Sequence, residues 1–261
     1  MSETNTKEYW ENYTEYWINK VEETNSSDKN VVDRTASDDL IGESYLSLLK
    51  VQDKDMFLDF GCGFCRLYPY YQKITNKGNN YYGVDIAQSA LLCAKKNYAI
   101  LDGENEYLRE TDGVAIPFDD NTFDKIFCYG VFDACNQEII LEELLRVLKV
   151  DGQLLITGKN YFYELDDEEA YIAEVNARMK GHPNYFTNVG DMIYQLNAKQ
   201  YTVCDSAYYV RRCDHAEDKY LEEMPERFYQ WRLVIKKQQN SQLEKFTSFS
   251  NEYSLTYRER N

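Results

Sequence analysis

The chain has 261 residues, with 29 basic against 45 acidic side chains and a net charge of −16. This length suits one domain with a sizeable core and leaves a second full domain cramped. A pI near 4.6 opposes a protein that grips nucleic acid phosphates or an anionic membrane surface, since both require a basic face.

The core is expected to be aromatic. The chain holds 24 Tyr, 12 Phe and 3 Trp at a mean hydropathy of −0.66, and Tyr buries a large ring while keeping one polar end. Residues 1–36 read as an N-terminal helical cap. Within it, residues 7–23 form a helix because Tyr9, Tyr13, Tyr16, Trp17 and Val21 recur at helical spacing. The start lacks a basic stretch followed by an apolar run, so no secretory signal is expected. No stretch reaches the roughly 18 apolar residues of a membrane helix. Asn25 to Asn30 is a loop, and Ser37 or Asp38 caps a second helix running to about Lys50.

A repeating pattern then occupies residues 37–237, taken as the main domain. Short apolar strands at 56–60, 81–85, 107–110, within 123–130 and at 153–157 alternate with helices from about 67, at 88–98 and at 137–149. Pro69 falls in a first helical turn, where its missing N–H costs nothing. Such alternation implies right-handed crossovers and a parallel sheet covered on both faces, an α/β doubly wound fold. After Thr157 an insertion, 161–185, rich in Tyr and acids, contains a helix at about 166–180. A helix at 189–199 follows. Strand-like runs at 201–212 and 228–237, with no long helix between them, predict an antiparallel hairpin at the sheet edge. That makes seven strands in all. The tail 238–261 is polar, mobile or weakly helical.

Seven cysteines, an odd number with Cys93, Cys128 and Cys204 in apolar runs, read as free thiols in a reducing, cytoplasmic setting. Cys62 and Cys65 form a C-x-x-C with no second pair to complete a zinc site. A redox role for that pair stays open.

The chemistry is concentrated in Leu58-Asp59-Phe60-Gly61-Cys62-Gly63-Phe64-Cys65. A glycine-rich turn after the first parallel strand lies where open α/β sheets bind ligands. A dinucleotide fingerprint would need glycine at position 66, which is Arg66. Asp59, two residues before the first glycine, would repel a pyrophosphate but suits a ligand ammonium group. A nucleoside carrying an amino acid is therefore favoured over one carrying phosphates. Asp59 and Asp85 as plain helix caps are the alternative.

The run D-F-G-C-G, the strand G-V-D and the segment I-P-F-D-D-N-T-F-D together resemble the class I S-adenosylmethionine-dependent methyltransferases, most strongly over residues 37–158. The family often has glycine where this chain has Cys65. The resemblance implies S-adenosyl-L-methionine as cofactor, with Asp59, Gly61, Cys62 and Gly63 cradling its methionine part. Asp85 would take the ribose hydroxyls and Ile86 the adenine face. Asp112 and Gly113 would meet the adenine edge. Tyr129 would face the sulfonium, where a ring near a cation gains roughly 0.5–2 kcal/mol.

Methyl transfer needs no metal, and the chain shows no metal-binding cluster among its two His. Candidate bases are His182, Asp133 and Tyr161, with Lys159 beside Tyr161, and an anionic acceptor would need none. The fourth strand lacks the N-P-P-Y or D-P-P-Y signature of methylation at nucleic acid base amines, which favours an oxygen acceptor. The N-terminal helix and the 161–185 insertion should enclose a small polar acceptor such as a sugar-linked or cell-surface polysaccharide intermediate. Two alternatives remain: a methyltransferase acting on protein or RNA, and a catalytically silent cofactor-binding partner protein. Exposed aromatics on the first helix leave open a homodimer contact. No nucleic acid or membrane partner is expected.

Overall fold

The computed structural model describes residues 7–15, 41–75, 80–102 and 106–252. Expectations for Tyr16, Trp17, Val21, the 25–30 loop and the cap at Ser37 or Asp38 lie outside the described residues. Residues 7–15 are helical (α1). The second predicted helix is present as a π-wound turn, Ile41–Tyr45, leading into α2 (Leu46–Leu49). Gly42 is required there, because a Cβ would sit 2.3 Å from the Tyr70 ring.

Five strands and their helices follow the predicted order: β1 (Phe57–Phe60), α3 (Tyr68–Thr75), β2 (Tyr81–Asp85), α4 (Gln88–Asn97), β3 (Leu108–Glu110), β4 (Phe123–Cys128), α5 (Gln137–Val147) and β5 (Leu148–Lys159). Then come α6 (Glu168–Met179), β6 (Tyr185–Thr187), α7 (Val189–Ala198), β7 (Tyr201–Tyr209), β8 (Gln230–Lys237) and β9 (Ser250–Glu252). Helix α5 starts where Asn136 accepts from the Ile139 N–H, and it buries Ile140, Leu141, Leu144 and Leu145 against the sheet.

The seven-stranded sheet has the order β3-β2-β1-β4-β5-β8-β7. Strands β1 to β5 pair in parallel, and β8 runs antiparallel between β5 and β7. The hairpin thus closes one edge, and the order reverses between β1 and β4. That reversal opens a crevice beyond the carboxyl ends of the strands.

Alternate residues feed two cores, as the period of a strand dictates. Leu58, Ile126, Leu154 and Ile156 join α5 and α7 on one face. Phe57, Phe127, Leu155 and Val234 meet Tyr68, Tyr71 and Tyr81 on the other. The Phe57 ring stands 5.0 Å from Tyr71 and 5.6 Å from Tyr81, in a tyrosine-rich part of this second core.

Two elements differ from expectation. Strand β5 begins directly after α5, five residues before the predicted Gln153. Asp151, at a φ of +64°, and Gly152 make the segment look like a turn in sequence. The tail is not weakly helical over its described length. Phe246 and Phe249 are buried in the first core, and Ser250–Glu252 pairs antiparallel with Tyr185–Thr187. Glu138 holds it there by accepting from the N–H groups of Phe249 and Ser250 at 2.7 and 2.9 Å. Among the described residues no helix is long and apolar enough to cross a membrane.

Candidate active site

The turn after β1 is shaped by backbone hydrogen bonds. The N–H groups of Gly61 and Cys62 donate to the Val84 carbonyl at 2.8 and 3.0 Å. The Gly63 N–H donates to Asp85 Oδ2 at 2.8 Å, and the Ala87 N–H donates to Oδ1 at 2.9 Å. One carboxylate thus ties the glycine turn to the start of α4. Gly63 has a φ of +52°, and a Cβ added there would project into open space. A side chain would fill the cradle, so only glycine leaves it free. Cys65 also adopts a positive φ, +60°, with its side chain fully buried. It carries a strain that the family's usual glycine would avoid.

Two cavities share this turn. The first, about 420 Å³, is lined on one side by Gly61, Gly63, Asp85, Ile86, Asp112 and Gly113. Tyr129 and Gly130 line it from the end of β4, and Trp10, Tyr13 and Thr14 of α1 cover it. Seven of the nine predicted cofactor residues therefore converge here. Asp59 and Cys62 line the second cavity, about 1060 Å³. Tyr13, Gly61, Gly63, Phe64, Tyr129, Gly130 and His182 line both, so the two are continuous.

The electrostatics differ along this trough. Asp112 Oδ1 accepts from the Val114 and Ala115 N–H groups at 2.8 and 2.9 Å. Those bonds hold its carboxyl below the usual range and leave Oδ2 to accept from a ligand amine. Burial pushes the Asp85 carboxyl up, against the backbone bonds that lower it. Asp59 is more extreme. Burial pushes it up to about 7, opposed by a hydrogen bond from the Tyr81 hydroxyl and reinforced by Asp85. A ligand ammonium beside it would draw out the proton. The donors and acceptors along the trough fit S-adenosylmethionine: adenosine in the first cavity, the methionine part at the turn beside Asp59.

Asp59 should therefore oppose stability while serving binding. Its folded proton leaves only near pH 7, whereas the unfolded chain releases it near pH 4. Stability falls as pH rises between those values and is flat above. Asp59→Asn should raise the melting temperature at pH 8 by about 2–8 °C, for 1–2 kcal/mol recovered. It should weaken S-adenosylhomocysteine binding about tenfold. Thermal melts and calorimetric titration check both signs.

Helix α1 is fastened over the first cavity from three directions. Lys7 pairs with Glu110 at the end of β3. Glu11 accepts from the Gln88 and Ser89 N–H groups at the start of α4, at 2.6 and 3.1 Å, where a carboxylate meets the positive end of the helix. The Tyr9 hydroxyl lies 2.9 Å from His182 Nδ1.

The candidate bases separate. His182 lines both cavities, at their junction. Asp133 lies in the second cavity, but its Oδ2 is held by Lys159 at 3.0 Å. Tyr161 lines neither cavity. The chain turns away after β5, with the Tyr161 N–H donating to the Thr187 carbonyl at 2.8 Å and its ring packed on the cluster of Tyr163, Phe186 and Tyr229. The Cys62 and Cys65 thiols are free and buried. Burial pushes the Cys62 thiol well up, the reverse of what a reactive redox pair needs.

Sequence reasoning missed the charged wall of the second cavity. Lys159 Nζ also contacts Glu174 at 3.1 Å and Asn184 Oδ1 at 3.1 Å. Glu174 further accepts from the Tyr229 hydroxyl, and Arg212 donates to that hydroxyl at 3.1 Å. His215 packs 5.8 Å from Tyr129, and its Nε2 lies 2.9 Å from the Tyr45 hydroxyl. Of these residues, Lys159 alone carried a sequence signal, its position at the end of a strand.

Comparison with known proteins agrees with the geometry. Residues 58–156 match the family described as "Methyltransferase domain". An uncharacterized protein of Methanocaldococcus jannaschii is 33% identical over 127 residues, 48% of this chain and 51% of that protein. A second from the same organism is 33% identical over 116 residues, 43% of this chain and 40% of its own length. The chain thus spans about half or less of the curated relatives it matches. Magnesium protoporphyrin IX methyltransferase from Synechocystis, solved with bound S-adenosylhomocysteine, shares the fold at a TM-score of 0.60 and 13% identity, over 90% of this chain and 99% of that one. Residues 58–156 thus match a methyltransferase domain, and the sheet order is that of the fold shared with the solved methyltransferase.

Proposed function

We propose that the chain transfers a methyl group to oxygen on a small polar acceptor, of the kind found in sugar-linked or cell-surface polysaccharide intermediates. The supporting observation is the second cavity. It opens from the cofactor trough through shared residues and is roofed by α1 and α6. At about 1060 Å³ it matches the upper size of small-molecule pockets, roughly 300–1,000 Å³. The lining mixes Tyr9, Tyr13, Tyr70 and Tyr129 with Lys159, Glu174 and Arg212, which suits a polar ring.

In this reading the domain division follows the sequence: a cap at 1–36, the methyltransferase domain at 37–237 with its acceptor-side insertion at 161–185, and the tail. The setting is cytoplasmic, as the free thiols suggest. Asp85 holds the ribose, Ile86 lies against the adenine, Asp112 and Gly113 meet its edge, and Asp59 meets the ammonium. Cys62 contributes to the wall of the turn.

When bound, S-adenosylmethionine supplies an electrophilic methyl group on a positive sulfur. The protein then needs to orient the acceptor and exclude water. Tyr129 offers its ring to the positive charge, and α1 covers the trough. Transfer of labelled methyl groups from S-adenosylmethionine into a fractionated cell extract tests the acceptor class. Label in the small-molecule fraction is expected, and label only in protein or RNA would overturn it.

A further inference from the structure

The geometry points to a hydroxyl-bearing acceptor that loses its proton to His182 Nε2, with Tyr9 of α1 as the positioning residue that presents this nitrogen. The inference rests on the proposed methyl transfer to oxygen and adds how the oxygen is made nucleophilic.

His182 stands at the junction of the two cavities, where the acceptor oxygen must approach the methyl group. Its Nδ1 is engaged by the Tyr9 hydroxyl at 2.9 Å. With Nδ1–H donating to the Tyr9 oxygen, Nε2 carries the lone pair, and it has no partner among the described residues. The ring is also fixed in orientation. Tyr9, Trp10 and Tyr13 stand edge-on around it with centroids at 5.5, 5.0 and 6.1 Å. All three belong to α1, 173 residues away from His182 in the case of Tyr9. The base is therefore completed by the same helix that covers the cofactor trough, so proton removal is tied to closure.

The charge state is suitable. Burial holds the His182 imidazole below its ordinary range, so it is neutral at pH 7. Asp133 and Glu174 act to raise it, and Lys159 and Lys180 act to lower it, leaving burial to decide. Tyr9 is pushed up by burial and by Tyr13, so its hydroxyl stays protonated. Asp133 is a poorer base, being committed to Lys159.

The step balances. The acceptor O–H bond breaks and its proton passes to Nε2. The oxygen forms its bond to the methyl carbon as the carbon–sulfur bond breaks, its electron pair staying on sulfur. The imidazolium then returns its proton to water.

The test uses the full chain in two arms. In the first, histidine-selective 15N labelling of the S-adenosylhomocysteine complex reads the tautomer, with His182→Gln assigning one of the two His signals. Wild type should show Nδ1–H, and Tyr9→Phe should move toward Nε2–H. In the second, labelled-methyl transfer into the small-molecule fraction is followed from pH 5 to 9. His182→Gln should lower the initial rate about 100-fold, the usual scale of general base catalysis. Tyr9→Phe should lower it about tenfold and shift the acid limb. A rate within threefold of wild type in His182→Gln, or an unchanged tautomer and acid limb in Tyr9→Phe, overturns the proposal. Absence of any S-adenosylhomocysteine melting shift in wild type would instead overturn the cofactor reading beneath it.

Discussion

Asp85→Ala should abolish measurable cofactor binding. The side chain has two tasks. It accepts from the Gly63 and Ala87 N–H groups at 2.8 and 2.9 Å, which sets the shape of the glycine turn. Its remaining lone pairs face the first cavity, where both ribose hydroxyls would donate to them. Hydrogen bonds to a charged group contribute about 1.5–3 kcal/mol each, so losing two removes about 3–6 kcal/mol. That is a weakening of roughly 10²- to 10⁴-fold in Kd. Calorimetric titration with S-adenosylhomocysteine measures it. Asp85→Asn keeps one acceptor oxygen and should fall between the two.

Lys159→Met should cost more stability than any other single change in the second cavity. Lys159 stands between Asp133 at 3.0 Å and Glu174 at 3.1 Å, and the side chains of Lys159 and Glu174 are 15% and 1% exposed. Removing the cation leaves two carboxylates facing each other away from water. Breaking a buried pair in this way costs about 3–5 kcal/mol, or roughly 6–20 °C in melting temperature for a domain of this size. Burial alone would lower the Lys159 pKa, but Asp133, Tyr229 and Glu174 together carry it above its ordinary value. The pair's contribution is thus complete at neutral pH and is lost only as pH rises above the ordinary lysine range. Melts at pH 7 therefore read the full effect. A variant that also changes Glu174 to Gln should recover part of it.

The two sites differ in how far sequence could reveal them. The first βα units of the sheet carry their own punctuation: an apolar strand, a glycine or acidic residue at its end, then a helix. The residues proposed for the cofactor sit at those strand ends, so Asp59, Gly61, Gly63, Asp85 and Asp112 are local signals. The second cavity is not local. Its lining joins Lys159 at the end of β5 to Glu174 in the middle of α6, and Asn184 and Tyr229 hold those two side chains. Glu174 in sequence is one more acid on a helix that already has many. The Tyr9–His182 contact spans the chain, and no spacing rule reaches that far. Strand β9 was hidden by its three residues. Phe246 and Phe249, apolar in a polar tail, were the signal that it packs.

The same distinction explains Tyr161. Its position just after β5 suggested that it overhangs the crevice. The bridge between Asn160 and Thr187 turns the chain aside one residue earlier, and the ring packs outside both cavities.

Adenosine is expected to occupy the first cavity, with the methionine part crossing the glycine turn. A crystal structure of the chain with S-adenosylhomocysteine tests this directly. The ribose hydroxyls are expected on Asp85, the adenine between Ile86 and the Asp112 loop, and the sulfur at the junction near Tyr129 and His182. Density for the adenosine anywhere outside the cavity lined by Asp85 and Asp112 would contradict it.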